Sequence, residues 1–127
     1  MDETLVADCE TDGFLPTMTK LHMLQIGRVD DDEVDIYADQ PGFRPISEGI
    51  ERLKQAKTVV FHNGTRFDIF AINKCYPGTL RPEQIYDTLV VARLLFPNIK
   101  QHSLKDWGGR LNCAKGEYTG GFETFNP

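Results

Sequence analysis

Residues 5–13 read Leu5-Val6-Ala7-Asp8-Cys9-Glu10-Thr11-Asp12-Gly13, an apolar run that ends in two carboxylates spaced two apart and then in a polar turn containing glycine. On an extended backbone residues i and i+2 point to the same side, so a strand here puts Asp8 and Glu10 on one face. That face then carries two hard oxygen ligands. The turn that follows places the pair at the open end of the strand rather than in mid-sheet, and open α/β sheets keep their sites at such ends. Taken alone, the Asp-x-Glu has a plainer reading, a strand running into a solvated acidic loop. A further carboxylate downstream weighs against it.

The 127 residues suit one domain, long enough to bury a core without disulfides. A formal net charge of −5 does not fit a nucleic-acid binder that relies on basic patches alone, because phosphate contacts ordinarily come from clustered Lys and Arg. Divalent cations would supply the missing positive charge. Cys9, Cys75 and Cys113 are odd in number, far apart and without a Cys-x-x-Cys, so neither a disulfide framework nor a zinc knuckle is indicated and a reducing, cytosolic setting is expected. The amino terminus is acidic and polar, unlike a signal peptide. No apolar run reaches the roughly 18 residues of a membrane span. Asn63-Gly64-Thr65 matches the glycosylation acceptor pattern, a chance match in a chain without a secretory route.

Leu21 to Val29 and Glu33 to Ala38 read as two strands joined by the acidic turn Asp30-Asp31-Asp32. Leu24, Ile26 and His22 share one face, and Val34 and Ile36 alternate with charge, which predicts a hairpin with one side in the core. After the breaker cluster at 40–45, Ser47 is expected to cap a helix through Gln55 with Ile50 and Leu53 as its apolar stripe. Thr58-Val59-Val60-Phe61 is a short β-branched run, hence a buried strand. His62-Asn63-Gly64 follows. Asn-Gly commonly signals a hairpin, yet Phe67, Phe70, Ala71 and Cys75 lie at offsets of three and four, so strand, turn, helix is preferred, with Thr65 as the cap. Asp68 falls in the first turn of that helix. Residues 77–83 read as a loop, Asp87 as the cap or start of a helix through Phe96 closed by Pro97, and Ser103 to Leu111 as a last helix carrying Leu104, Trp107 and Leu111. The Gly-rich, aromatic tail from Asn112 to Pro127 brings no closing element, and the domain is expected to be cut short.

If the first strand and the one ending at Phe61 are neighbours, Asp8, Glu10 and Asp68 converge. Three carboxylates close together repel unless divalent ions sit between them, and all-oxygen ligation suits Mg²⁺ or Mn²⁺. Such a site hydrolyses phosphodiesters by a two-metal route and needs no Ser, Cys or His nucleophile.

Asp8-Cys9-Glu10-Thr11, His62-Asn63-Gly64-Thr65-Arg66-Phe67-Asp68, Tyr86-Asp87-Thr88-Leu89 with Arg93-Leu94-Leu95, and His102-Ser103-Leu104 with Trp107-Gly108-x-Arg110-Leu111 together resemble the 3′→5′ exonuclease domain of the DEDD (DnaQ-like) superfamily. The nearest resemblance is to the amino-terminal proofreading domain of phage-type family A DNA polymerases. It implies an α/β, RNase H-like fold: a mixed sheet of three antiparallel strands and then parallel strands, with helices on both faces. It also implies that Asp8, Glu10 and Asp68 ligate two Mg²⁺ ions around the 3′-terminal phosphodiester, Mn²⁺ substituting. The implied partners are a single-stranded DNA 3′ end and a polymerase domain of the same longer chain. The implied setting is a cytoplasmic monomer in a phage-infected cell, with no membrane.

Phe14 occupies the place of an apolar side chain against the terminal base, where an aromatic suits stacking; the alternative is a core or loop-anchoring Phe. Asn63 either contacts the strand or only shapes the turn. Asp87 is expected as a helix cap rather than a ligand, Trp107 as core, His102 as a cap or surface residue, and Arg66 and Lys105 as solvated charge. The chain departs from the family pattern in one respect: the third motif, a Tyr or His followed four residues later by a fourth carboxylate, lies beyond 122–127, and neither Glu117 nor Glu123, with Tyr118 nearby, has the helical context to replace it. Residues 1–127 are therefore read as an incomplete exonuclease domain, weak or inactive in isolation. Rival readings are an RNase D-like exoribonuclease and a catalytically silent binding domain.

Overall fold

A computed structural model describes residues 3–30 and 32–111. Strands β1 (Thr4–Thr11), β2 (Leu21–Arg28), β3 (Val34–Tyr37), β4 (Thr58–Phe61) and β5 (Ile85–Asp87) form one sheet in the order β3-β2-β1-β4-β5. The first three make an antiparallel meander; β4 then lies parallel to β1 and β5 parallel to β4. Helices α1 (Ile46–Gln55), α2 (Asp68–Cys75), α3 (Thr88–Leu95) and α4 (Leu104–Arg110) complete the described chain. The mixed sheet expected from the sequence is present.

Alternation along β1 sets the two faces: Leu5, Ala7, Cys9 and Thr11 are buried, while Val6 and Asp8 are exposed and Glu10 half-buried. The buried face meets α1 and α2, where Ile50, Leu53, Ala71 and Ile72 join Leu5, Leu24, Val59 and Phe61 in the core. The other face carries Val6, Asp8, Gln25, Val34 and Val60, and α3 borders it through Thr88 and Leu89. Helices thus lie on both faces.

Register corrects the reading of β3. Leu24 is level with Tyr37 and Ile26 with Asp35, so Tyr37 and Asp35 share the core-side face, and Val34, expected inside, is 57% exposed. Asp35 tolerates that face because the Arg52 guanidinium of α1 donates to it at 2.7 Å, and to the Tyr37 hydroxyl at 3.2 Å. Ser47 does not cap α1: Pro45 precedes the helix without a side-chain bond, and the Ile46 N–H donates instead to Asp39 Oδ1 at 3.0 Å. In α2 the inward residues are Asp68, Ala71 and Ile72, and Phe70 is 57% exposed. Two short elements occupy ground read as loop or left unassigned, a 3₁₀ turn at Pro82–Gln84 and the three-residue β5. Cys113, Glu117, Tyr118 and Glu123 lie outside the described residues.

Candidate active site

Because β1 and β4 are adjacent and parallel, their carboxyl ends open at the same edge of the sheet, and the chain leaving β4 returns there as the first residue of α2. That residue is Asp68. Its carboxyl is 6% exposed and hydrogen-bonded to the Asp8 carboxyl, and the Cys9 thiol and backbone N–H also bond to it. Burial, and then the charge of Asp8, push Asp68 up to about 7, so at neutral pH Asp68 carries a proton much of the time. Burial, with Asp68 and Asp8 behind it, likewise raises the Cys9 thiol well above its ordinary range and keeps it unreactive. Glu10 stands two residues beyond Asp8 on the same strand face, level with Met23 of β2. No group of three His, Cys, Asp or Glu side chains placed to hold one ion occurs among the described residues, so the contact that this geometry makes is the Asp8–Asp68 pair.

The turn between β4 and α2 is held from outside. Asn63 takes φ +66°, a left-handed conformation that Asn tolerates better than most residues, so it does shape the turn. At Gly64 an added Cβ would lie 2.4 Å from Phe61 Cβ, so only glycine lets the chain fold back there. Thr65 is not the cap of α2. Phe67 precedes that helix without a side-chain cap, and Thr65 donates its N–H (3.0 Å) and hydroxyl (2.8 Å) to Asp87 Oδ2. Asp87 Oδ1 accepts from Asn63 N–H at 2.8 Å and from Leu89 N–H at 2.9 Å, the latter being the expected cap of α3. Burial alone would raise the Asp87 carboxyl, but the bonds from Thr65, Asn63 and Leu89 outweigh it and hold the group below its usual range.

His62 was quoted in the sequence only as part of a motif; it proves to be a tie. One ring nitrogen lies 2.9 Å from Thr88 Oγ1 and the other 2.7 Å from the His102 carbonyl, so Nε2 carries a proton. His102 is buried rather than a cap or surface residue, and Ser103 caps α4. Trp107 stacks on His102 and meets Phe96 in a satellite cluster outside the main core, its indole N–H donating to His102 Nδ1 at 3.1 Å. Arg66 and Lys105 are exposed, as read from the sequence.

Phe14 is 70% exposed, which excludes the core reading. Its carbonyl accepts from Thr17 and Met18 N–H, and Asp12 clamps the same loop by accepting from Thr19 N–H at 2.8 Å, Lys20 N–H at 3.2 Å and the Thr19 hydroxyl. A groove of about 880 Å³ runs past Asp8 and Asn63 and is also lined by Gln25, Val34 and Arg93. Asp8 and Asp68 offer hard oxygen donors of the kind Mg²⁺ and Mn²⁺ take, and a cation bound there would replace the Asp68 proton; the pair fits a divalent ion.

The family model described as the RNase H superfamily matches residues 5–110. The chain is 32% identical to the DNA-directed DNA polymerase of Enterobacteria phage T3 and 28% identical to that of Escherichia phage T7, in each case over 94% of this chain and 20% of the polymerase. It therefore spans about a fifth of the length of these relatives. Among solved structures, Brucella melitensis NrnC with bound Mg²⁺ superposes with a TM-score of 0.73 at 22% identity, covering 94% of this chain and 58% of that one, a likeness of fold. No helix among the described residues is long and apolar enough to cross a membrane.

Proposed function

The chain belongs to the RNase H superfamily, and from that premise we propose that it is the 3′→5′ proofreading exonuclease portion of a phage-type DNA polymerase, hydrolysing the 3′-terminal phosphodiester of single-stranded or frayed DNA. The observation that carries this reading is the Asp8–Asp68 contact at the shared open edge of β1 and β4. The match to two phage DNA polymerases along 94% of the chain supports the same reading. Asp8, Glu10 and Asp68 would hold two Mg²⁺ ions, with Mn²⁺ able to substitute. When bound, such ions lower the pKa of a water and offset charge on the phosphate oxygens. The chain's own residues prepare that chemistry: Asp68 surrenders its proton on loading, and the exposed Phe14 ring stacks on the terminal base. Asn63 holds the turn beside the groove. The protein works in the cytoplasm of an infected bacterium as a monomeric unit, with the polymerase domain as its partner.

The test is incubation with 5′-labelled single-stranded DNA in Mg²⁺, Mn²⁺ or EDTA, beside an Asp8→Ala control. A metal-dependent ladder shortening from the 3′ end, absent from the control, is expected. A ladder that persists in Asp8→Ala overturns the assignment, and preferential digestion of RNA moves it to an exoribonuclease. If nothing is cut, the same assay on a chain extended through the next helix separates a truncated enzyme from a fold without the activity.

A further inference from the structure

We infer that Asp87 is a positioning residue: its carboxylate sets where Asp68 stands relative to Asp8 and thereby tunes the affinity of the pair for a divalent cation. The inference rests on the metal-site reading above and goes beyond it, since Asp87 touches neither carboxylate in the hydrogen bonds described.

A carboxylate has about four lone-pair directions, and all four of Asp87's are used, by the N–H groups of Asn63, Thr65 and Leu89 and by the Thr65 hydroxyl. It is also buried. A group so saturated has no oxygen left for a metal ion, so its acidity serves the turn. Asp87 is well placed for this because it is level with Phe61 in the β4–β5 pairing, which fixes its backbone, while its side chain reaches two and four residues past Phe61 into the turn. The next residue repeats the pattern, Thr88 Oγ1 donating to the Phe61 carbonyl at 3.1 Å. Within the turn, the N–H groups of Arg66 and Phe67 return to the Asn63 carbonyl and that of Ile69 to Gly64. The start of α2 therefore hangs on Asn63 and Gly64, and Asn63 hangs on Asp87. Phe67 supplies no cap of its own.

The experiment measures the Mg²⁺ concentration at half-maximal thermal stabilisation of the 127-residue chain, with Mn²⁺ as a second probe. Asp87→Asn keeps one acceptor oxygen and turns an amide toward Thr65; outer-shell changes around metal sites cost on the order of 10–100-fold in affinity, so a rise of the midpoint by about tenfold or more is expected. Thr65→Val removes a single bond and is expected to move the midpoint less, in the same direction. It decides the matter if Asp87→Asn does not fold. Asn73→Ala severs two bonds to Leu80 from the same helix, away from the turn, and is expected to lower the melting temperature without moving the midpoint. Unchanged midpoints in Asp87→Asn and Thr65→Val, with only melting temperatures reduced, overturn this inference and leave the metal site standing. Absence of any metal-dependent shift in the unmodified chain overturns both.

Discussion

The Asp68 carboxyl rests against that of Asp8, one at the head of α2 and the other near the mouth of β1, and shares a hydrogen bond with it. An unfolded Asp titrates near 3.9, whereas burial and the Asp8 charge push Asp68 up to about 7. Between those values the folded chain holds more protons than the unfolded one, so metal-free stability falls as pH rises from about 4 to about 7, by at most about 1.4 kcal/mol per pH unit for one proton. Chemical denaturation across that range should show the decline. Asp68→Asn should flatten it and be more stable than the parent at pH 7 without metal, while losing metal-dependent stabilisation. Metal affinity runs the other way, tightening as pH rises, because the ion competes with the proton. A parent and Asp68→Asn with parallel pH profiles would show that the carboxyl is not perturbed.

Gly64 makes a second, purely steric prediction. The Cβ of an alanine would meet Phe61 Cβ at 2.4 Å and Cγ at 2.7 Å, and Phe61 is locked in the core, so the turn must move. Gly64→Ala should cost about 1–3 kcal/mol in urea unfolding, the usual range for overpacking, and should weaken metal-dependent stabilisation because Asp68 lies four residues on. A variant with unchanged stability would mean the turn can relax away from Phe61.

How much of this was legible beforehand depends on the range of each signal. The alternation in β1, the β-branched run of β4 and the Asp87 cap are local, and all appear where the sequence puts them. The facing of β3 was not readable, because it depends on register with β2 and on Arg52, which lies on α1 seventeen residues from Asp35. Ser47 lost its capping role to Asp39, and Thr65 gave its hydroxyl to Asp87 across 22 residues. β5 is three residues long and is a strand only because β4 lies beside it. The adjacency of Asp8 and Asp68 was conditional on which strands neighbour each other, and the sheet order supplies that condition.

Gln84, just past the segment read as loop, went unnoticed, yet it closes α1. Its side-chain N–H groups donate to the carbonyls of Leu53 at 3.0 Å and Ala56 at 2.8 Å, and its Oε1 accepts from Arg81 N–H. Leu in its place would strand the buried Ala56 carbonyl, while the Leu53 carbonyl keeps the Ala56 N–H at 3.3 Å, and an unsatisfied buried group costs about 1–3 kcal/mol. Gln84→Leu should therefore lose about 1–3 kcal/mol in urea unfolding. Its midpoint for Mg²⁺ should not change, since α1 packs on the face away from Asp8. A shift in that midpoint would mean that strain at α1 reaches the site.

Phe14 separates binding from folding. Its backbone is fixed by the 14–18 turn and by the Asp12 clamp, whose carboxyl the Thr19 hydroxyl, aided by the N–H groups of Thr19 and Lys20, lowers to about 2 against the opposing effect of burial. The ring itself is largely in solvent. Removing an exposed side chain from a clamped loop should leave stability within about 0.5 kcal/mol of the parent. Stacking of a base on an aromatic ring is worth about 1–3 kcal/mol, so Phe14→Ala should raise KM for single-stranded DNA by about 5–150-fold, with Phe14→Tyr close to the parent. Should Phe14→Ala instead melt well below the parent while KM holds, the ring packs in solution and the terminal base must find its partner elsewhere.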